Sequence, residues 1–203
     1  MGDFRAIGAT TYLCPVPAVL VGCADARGEH ANLIAVAWSG VVCTKPPTLS
    51  ISLKPERFSH GLISETREFT VNLIGEPLCR ALDACGVKSG RDVDKFALLG
   101  LHPQSAPPLT CAPMLAEAPA ALACRVTQIV PLGSHDLFIA EIQQVYVRDA
   151  YFTPSGAIDE RAMRLVAYVH GKYRALGDEL GFFGWSVAGK DALRRRAPRK
   201  TDK

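Results

Sequence analysis

Asn32-Leu33-Ile34-Ala35-Val36-Ala37-Trp38-Ser39 and, past a Pro46-Pro47 break, Thr48-Leu49-Ser50-Ile51-Ser52-Leu53-Lys54-Pro55-Glu56-Arg57-Phe58-Ser59-His60 are the segments on which the reading of this chain turns. Side chains of a strand alternate between its two faces. In the second segment this sends Leu49, Ile51 and Leu53 into a core and Thr48, Ser50 and Ser52 the other way, in line with Lys54. Pro55 breaks the strand, and Ser59 reads as the N-cap of a short helix from Ser59 to Thr66. The first turn of a helix offers free N–H groups and a positive dipole end. Arg57 adds a planar fork suited to phosphate oxygens. A row of hydroxyls ending in cations would suit the ribityl and phosphate of a nucleotide cofactor. A polar outer strand face, with Arg57 in a surface ion pair, would use the same residues.

The first segment supplies a slot. Leu33, Ala35, Ala37 and Ser39 share one face of a strand from Asn32 to Ser39, and three of the four are small, with Asn32 and Trp38 on the opposite phase. Small side chains let a flat ring approach the backbone. Close packing of a helix over Ala35 and Ala37 would require the same smallness.

Outward from these segments, Tyr12 to Cys14 reads as a short edge strand ended by Pro15-Val16-Pro17, and Ala18 to Ala24 as a Val-rich strand. Phe69 to Leu73, Ala121 to Val130, Leu137 to Val147 and Leu165 to Val169 complete the strands, with Gly133-Ser134-His135-Asp136 as a hairpin turn. Glu76 to Cys85 and Asp92 to Leu99 read as helices. The proline-rich stretch Gln104 to Pro119 reads as a long loop over a site or a partner, and Tyr173 to Leu180 as a last short helix. This is the rhythm of a mainly β, mostly antiparallel barrel with inserted helices.

Composition narrows the function. Of the net charge of +3, the stretch from Lys190 to Lys203 carries +5, so the body stands at −2 and bears no broad nucleic-acid footprint. The seven cysteines are odd in number and form no C-x-x-C, which argues against a disulfide framework or a metal site and for a reducing cytoplasm. Cys43 and Cys85 are the two thiols to watch for reactivity. No signal peptide opens the chain and no apolar run is long enough to span a bilayer, so a soluble, cytoplasmic protein is expected. Neither G-x-S-x-G nor G-x-G-x-x-G occurs in a suitable context, which sets aside hydrolase and Rossmann readings.

Taken together, the order and spacing of these segments resemble the flavin reductase-like proteins, and within them the flavoredoxin-like group. The resemblance also rests on Pro15 to Val21, Glu68-Phe69-Thr70-Val71-Asn72, the run from Cys85 to Phe96, Leu137 to Glu141, and Gly171-Lys172-Tyr173-Arg174-Ala175-Leu176-Gly177. It implies an antiparallel Greek-key, FMN-binding split barrel over residues 12–185, between an N-terminal extension at 1–11 and a basic tail at 186–203, working as a homodimer. By the same resemblance FMN phosphate would lie around Ser52, Lys54, Arg57, Ser59 and His60. The ring would lie along Ala35, Val36, Ala37, Trp38 and Ser39, with Asn32 flanking and Cys43 and Thr44 at its edge. Ser89, Gly90, Arg91 and Lys95 would approach from a loop, and Tyr173 would roof the pocket. The implied activity is electron transfer from NADH, NADPH or a redox protein through FMN to an acceptor. The alternative is an FMN-binding carrier without turnover of its own. The flavin carries the chemistry, so no side chain is expected as acid or base. Val16 departs from the Arg that many relatives place between the two early prolines.

Overall fold

The computed structural model describes residues 2–196, so 197–203 of the expected basic tail lie outside the described residues. The chain opens with β1 (Val16–Pro17), β2 (Val19–Cys23), β3 (Asn32–Val36), β4 (Ser39–Thr44) and β5 (Pro47–Leu53). Then come α1 (Phe58–Thr66), β6 (Glu68–Leu73), α2 (Cys79–Val87) and α3 (Lys95–Leu99). The small strands β7 (Pro103–Gln104) and β8 (Met114–Leu115) precede the long hairpin of β9 (Ala120–Pro131) and β10 (Asp136–Val147). The hairpin of β11 (Val166–Val169) and β12 (Lys172–Ala175) and the short helix α4 (Lys190–Arg195) complete the fold.

The main sheet has seven strands in the order β3-β2-β6-β9-β10-β5-β4, every pair antiparallel. Its two edge strands, β3 and β4, are consecutive in the chain and separated only by Ala37 and Trp38. A link that short forces the two edges of the sheet together, so the sheet curls on itself. The β4–β5 ladder reaches one step further into the link, through Ser52 N–H donating to Trp38 O at 2.9 Å. Beyond that step β3 and β5 part, and the barrel is split there.

The strand expected from Asn32 to Ser39 is therefore two strands on opposite edges. The alternation read for β5 holds from Leu49 on, with Leu49, Ile51 and Leu53 buried and Ser50 and Ser52 half-buried, but Thr48, expected on the outward face, is buried and donates from Oγ1 to Pro46 O at 2.9 Å. Ile51 and Leu53 join Val19, Val21, Phe69 and Phe138 in the core inside the curl. β2 and β3 are buried on both faces, because Leu20 and Leu33 pack outward against Leu82 of α2 and Phe96 of α3. Covering both faces of one end of the sheet uses the helical insertions where β5 uses solvent.

Three expectations are corrected. Tyr12 to Cys14 is not a strand; the pairing segment is β1, opposite Ala167 and Tyr168 of β11. Tyr173 to Leu180 is not a helix: His170 and Gly171 both have positive φ, 43° and 75°, the geometry of a tight two-residue hairpin turn, and β12 pairs back on β11. Gln104 to Pro119 is not one uninterrupted loop: it takes in the end of β7 and all of β8, and it is docked on its own sheet. The Glu68 carboxylate accepts from the N–H groups of Thr110 (2.8 Å) and Cys111 (3.1 Å), Thr70 Oγ1 donates to Pro113 O (2.7 Å), and Asn72 Oδ1 accepts from Leu115 N–H (2.7 Å). In the expected tail, α4 buries no residue.

Candidate functional site

A cleft of about 540 Å³ occupies the split in the barrel. One wall is Ile34 to Trp38 and the other Ser52 to Lys54, with Arg57 at one end. Gly86 and Val87 of α2 close the floor, Tyr168, His170 and Tyr173 reach in from the β11–β12 hairpin, and His135 from the β9–β10 turn.

The two walls differ in what they present. β5 offers side chains: Ser52, then Lys54, half-exposed and 3.6 Å from Glu56. β3 offers backbone. Lys95 Nζ donates to Leu33 O at 2.6 Å, so Leu33 turns its carbonyl away from β2. Residues of an antiparallel strand alternate in the direction of their N–H and C=O groups. Ala35, two places on, therefore turns its own N–H and C=O outward, along the cleft. Its methyl group also takes the closest approach of α2, since a side chain at Gly86 would stand 3.2 Å from Ala35 Cβ. The smallness of Ala35 thus serves both a helix contact and an open wall.

The structure brings Ala35, Val36, Ala37, Trp38, Ser52, Lys54, Arg57 and Tyr173 together on this cleft. Trp38 is 45% exposed and lies against the His135 ring at 4.5 Å between centroids. Tyr173 Oη donates to Asp83 Oδ1 at 3.2 Å, and burial together with that carboxylate pushes its phenol up to about 12. Arg57 Nη1 makes one long contact, 3.5 Å, with Gly86 O.

Other expected site residues lie off the cleft surface, several of them with partners within the fold. Ser59 is not an N-cap: Arg57 holds that position without a side-chain cap, and the buried Ser59 hydroxyl accepts from Asn32 Nδ2 at 2.8 Å. That contact ties the two side chains to each other behind the cleft wall. His60 donates from Nε2 to Asp136 Oδ2 at 2.8 Å and sets its ring edge-on to Phe138, tying α1 to β10. Ser39 starts β4, and Cys43 and Thr44 are exposed further along it. Ser89 Oγ accepts from Arg91 N–H at 3.2 Å, Gly90 packs directly on Asn32 and Phe58, and Arg91 Nη1 donates to Glu56 O at 2.8 Å while lying over the Phe58 ring. This loop braces the turn from Lys54 to Phe58 from behind. Lys95 is 3% exposed and donates to Leu33 O and Cys85 O; burial pushes its ammonium below the usual lysine range. Cys85 is buried and its thiol is raised to about 11 by that burial, only partly offset by Lys95, so it is not a reactive thiolate.

Asp83, Tyr168, His135 and His170 line the cleft without having been expected to bind there. Only His135 carried a signal, as a histidine in a hairpin turn. The others arrive through contacts distant in sequence.

The donor set fits a planar ring with an anionic tail: cations and a hydroxyl at one end, an exposed indole, and an outward-facing backbone edge along the side. Residues 11–177 match the flavin reductase like domain, and the chain belongs to that family. The flavoredoxin of Desulfovibrio vulgaris has the same fold, with a TM-score of 0.84 at 30% identity, covering 91% of this chain and 100% of that one. An uncharacterized protein of Aeropyrum pernix is 32% identical over 140 residues, 68% of this chain but 52% of the relative, so this chain spans about half that relative's length. An NADPH-flavin oxidoreductase of Streptomyces viridifaciens is 28% identical over 143 residues, 68% of this chain and 70% of that protein. The fold is thus the mainly β, antiparallel split barrel of a flavin-binding family. Among the described residues no helix is long and apolar enough to cross a membrane.

Proposed function

We propose that the cleft binds FMN and that the protein is an FMN-dependent oxidoreductase, receiving electrons from NADH, NADPH or a protein donor and passing them to an acceptor. The observation that carries this reading is the pairing of a hydroxyl-and-cation wall, Ser52, Lys54 and Arg57, with the bare backbone edge at Ala35 across the split. A bound flavin would supply the redox chemistry. Lys54 and Arg57 hold the phosphate, and Ser52 serves the phosphate or the ribityl chain. The N–H and C=O of Ala35 read the polar edge of the ring. Trp38 and His135 wall one side, and Tyr168, His170 and Tyr173 exclude water from the other. No side chain of this set is required as a catalytic acid or base.

The oxidoreductase of Streptomyces viridifaciens supports turnover with a nicotinamide donor, and the flavoredoxin of Desulfovibrio vulgaris supports a carrier that passes electrons between proteins. Anaerobic titration of the FMN-loaded protein with NADH and NADPH separates the two. Bleaching of the flavin's visible absorption supports the enzyme; silence with both nicotinamides, followed by reduction from a protein donor, supports the carrier. Failure to quench added FMN fluorescence removes both.

A homodimer in the cytoplasm belongs to the same proposal. Val41 and Val42 on the edge strand β4 are 69% and 56% exposed, an apolar surface suited to a second copy. A monomer in light scattering at working concentration would overturn the dimer.

A further inference from the structure

We infer that Lys95 is a positioning residue for Arg57: by taking Cys85 O in the last turn of α2 for itself, it leaves the Arg57 guanidinium free to meet an anion in the cleft. This rests on the proposal that the cleft takes FMN by its phosphate.

The C-terminal turn of a helix carries unsatisfied carbonyls and a partial negative charge, and it attracts cations. Here two cations reach the same turn from different parts of the chain. Lys95 Nζ, buried, donates to Cys85 O at 2.9 Å and to Leu33 O at 2.6 Å. Arg57 Nη1 approaches the next carbonyl, Gly86 O, at 3.5 Å. The first set is short and closed from solvent; the second is a single contact at the limit of hydrogen-bonding distance. Arg57 lies on the cleft surface and Lys95 does not.

An arginine has five donors and would take several carbonyls at a helix end if they were free. Lys95 prevents this in two ways. It occupies Cys85 O, and its charge repels a second cation from the same place. It also fixes β3 to α2, which holds open the wall at Ala35. Removing the ammonium would free Cys85 O and Leu33 O in a buried setting, where unsatisfied carbonyls are costly. Arg57, already at Gly86 O one residue further on, is placed to turn to Cys85 O, and by moving there it would leave the cleft.

A role confined to stability would weaken all ligands alike. The positioning role weakens only those with a phosphate. The test is the ratio of FMN to riboflavin affinity, read by fluorescence quenching, in wild type, Lys95→Met, Arg57→Ala and the double variant. Thermal melts check that each variant is folded. The expected result is that Lys95→Met lowers the ratio by about tenfold to a hundredfold, as loss of one charge-assisted contact would. Arg57→Ala should do the same, and the double variant should lose no more than either alone. A ratio unchanged in Lys95→Met, or losses that simply add, overturns the inference. If Lys95→Met does not fold, Lys95→Gln keeps a donor for Cys85 O without the charge, and the same ratio decides; failure of both to fold makes Lys95 a core residue only and also overturns it. A wild-type protein that binds FMN and riboflavin equally would instead remove the phosphate site on which the inference rests.

Discussion

β3 and β5 face each other across the split and are built on opposite plans. β5 is an inner strand, paired on both sides as far as Ile51 and then with β10 alone beside the split, with an apolar face and, from Ser50 on, a face of hydroxyls running to Lys54. β3 is an edge strand with both faces packed and one backbone edge open. Along most of its length β5 has its backbone taken by β4 and β10, and at the cleft it adds the side chains of Ser52 and Lys54. An edge strand under a helix has little side-chain freedom, so β3 contributes through its N–H and C=O groups. A ring that needs hydrogen bonds in its plane and a tail that needs positive charge can use one wall each.

If β3 works through its backbone, filling the slot should be the most damaging change. Ala35→Leu puts a branched side chain where the approach of α2 leaves room for a methyl group. Overpacking of this kind costs about 1–3 kcal/mol of stability, and the wall would be pushed into the cleft. FMN binding should be lost in a fluorescence titration, while chemical denaturation still shows a cooperative transition. Normal FMN affinity in Ala35→Leu would break the idea that β3 borders the ring.

The opposite wall should fail in proportion to charge. Arg57→Ala should weaken FMN by about 1.5–3 kcal/mol, the range for a hydrogen bond to a charged group, and leave riboflavin affinity unchanged. Equal losses for both ligands would move Arg57 from the phosphate to the ring. Ser52→Ala removes a neutral hydroxyl from the same wall and should cost about 0.5–1.5 kcal/mol, measured in the same titration. A loss larger than that of Arg57→Ala would place the hydroxyl, rather than the cation, at the anion.

The same contrast sets what could be read in the sequence. β5 was legible because its two faces differ in chemistry, and each residue declares its side. The end of β3 was not, because no glycine or proline marks the turn at Ala37 and Trp38; what ends the strand is the meeting of two sheet edges, which depends on the whole strand order. Tyr173 to Leu180 carries no strong period and reads as a helix, while the deciding signal for β12 is His170-Gly171, a two-residue turn for which glycine suits the second place. Within the site, Lys54 and Arg57 were legible as cations after a strand. Ser59 and His60 follow them directly, yet turn inward to Asn32 and Asp136, partners 27 and 76 residues away. Lys95 was the hardest to foresee, since a buried ammonium held by two carbonyls contradicts the ordinary rule that lysines face water.

The weakest effect on either wall should come from Glu68, which makes it the control for all of these changes. Its carboxylate is buried and anchors the segment around Thr110 and Cys111 on the far side of the sheet, with Arg125 Nη2 at 3.0 Å. Burial alone would raise its pKa; the N–H groups of Cys111 and Thr110, the Cys111 thiol and the Arg125 charge outweigh this and hold it below the ordinary value of 4.5. A carboxylate with a depressed pKa in the folded state favours folding wherever it is ionised. Its contribution is therefore complete above about 4.5 and is lost as pH falls toward and through the lower folded value. Melting curves of wild type and Glu68→Gln should differ by a constant amount at neutral pH and converge on acidification through that window. FMN affinity at neutral pH should be the same in both. A Glu68→Gln protein that stays folded but loses FMN would mean that the docked segment, and not only β3 and β5, shapes the cleft.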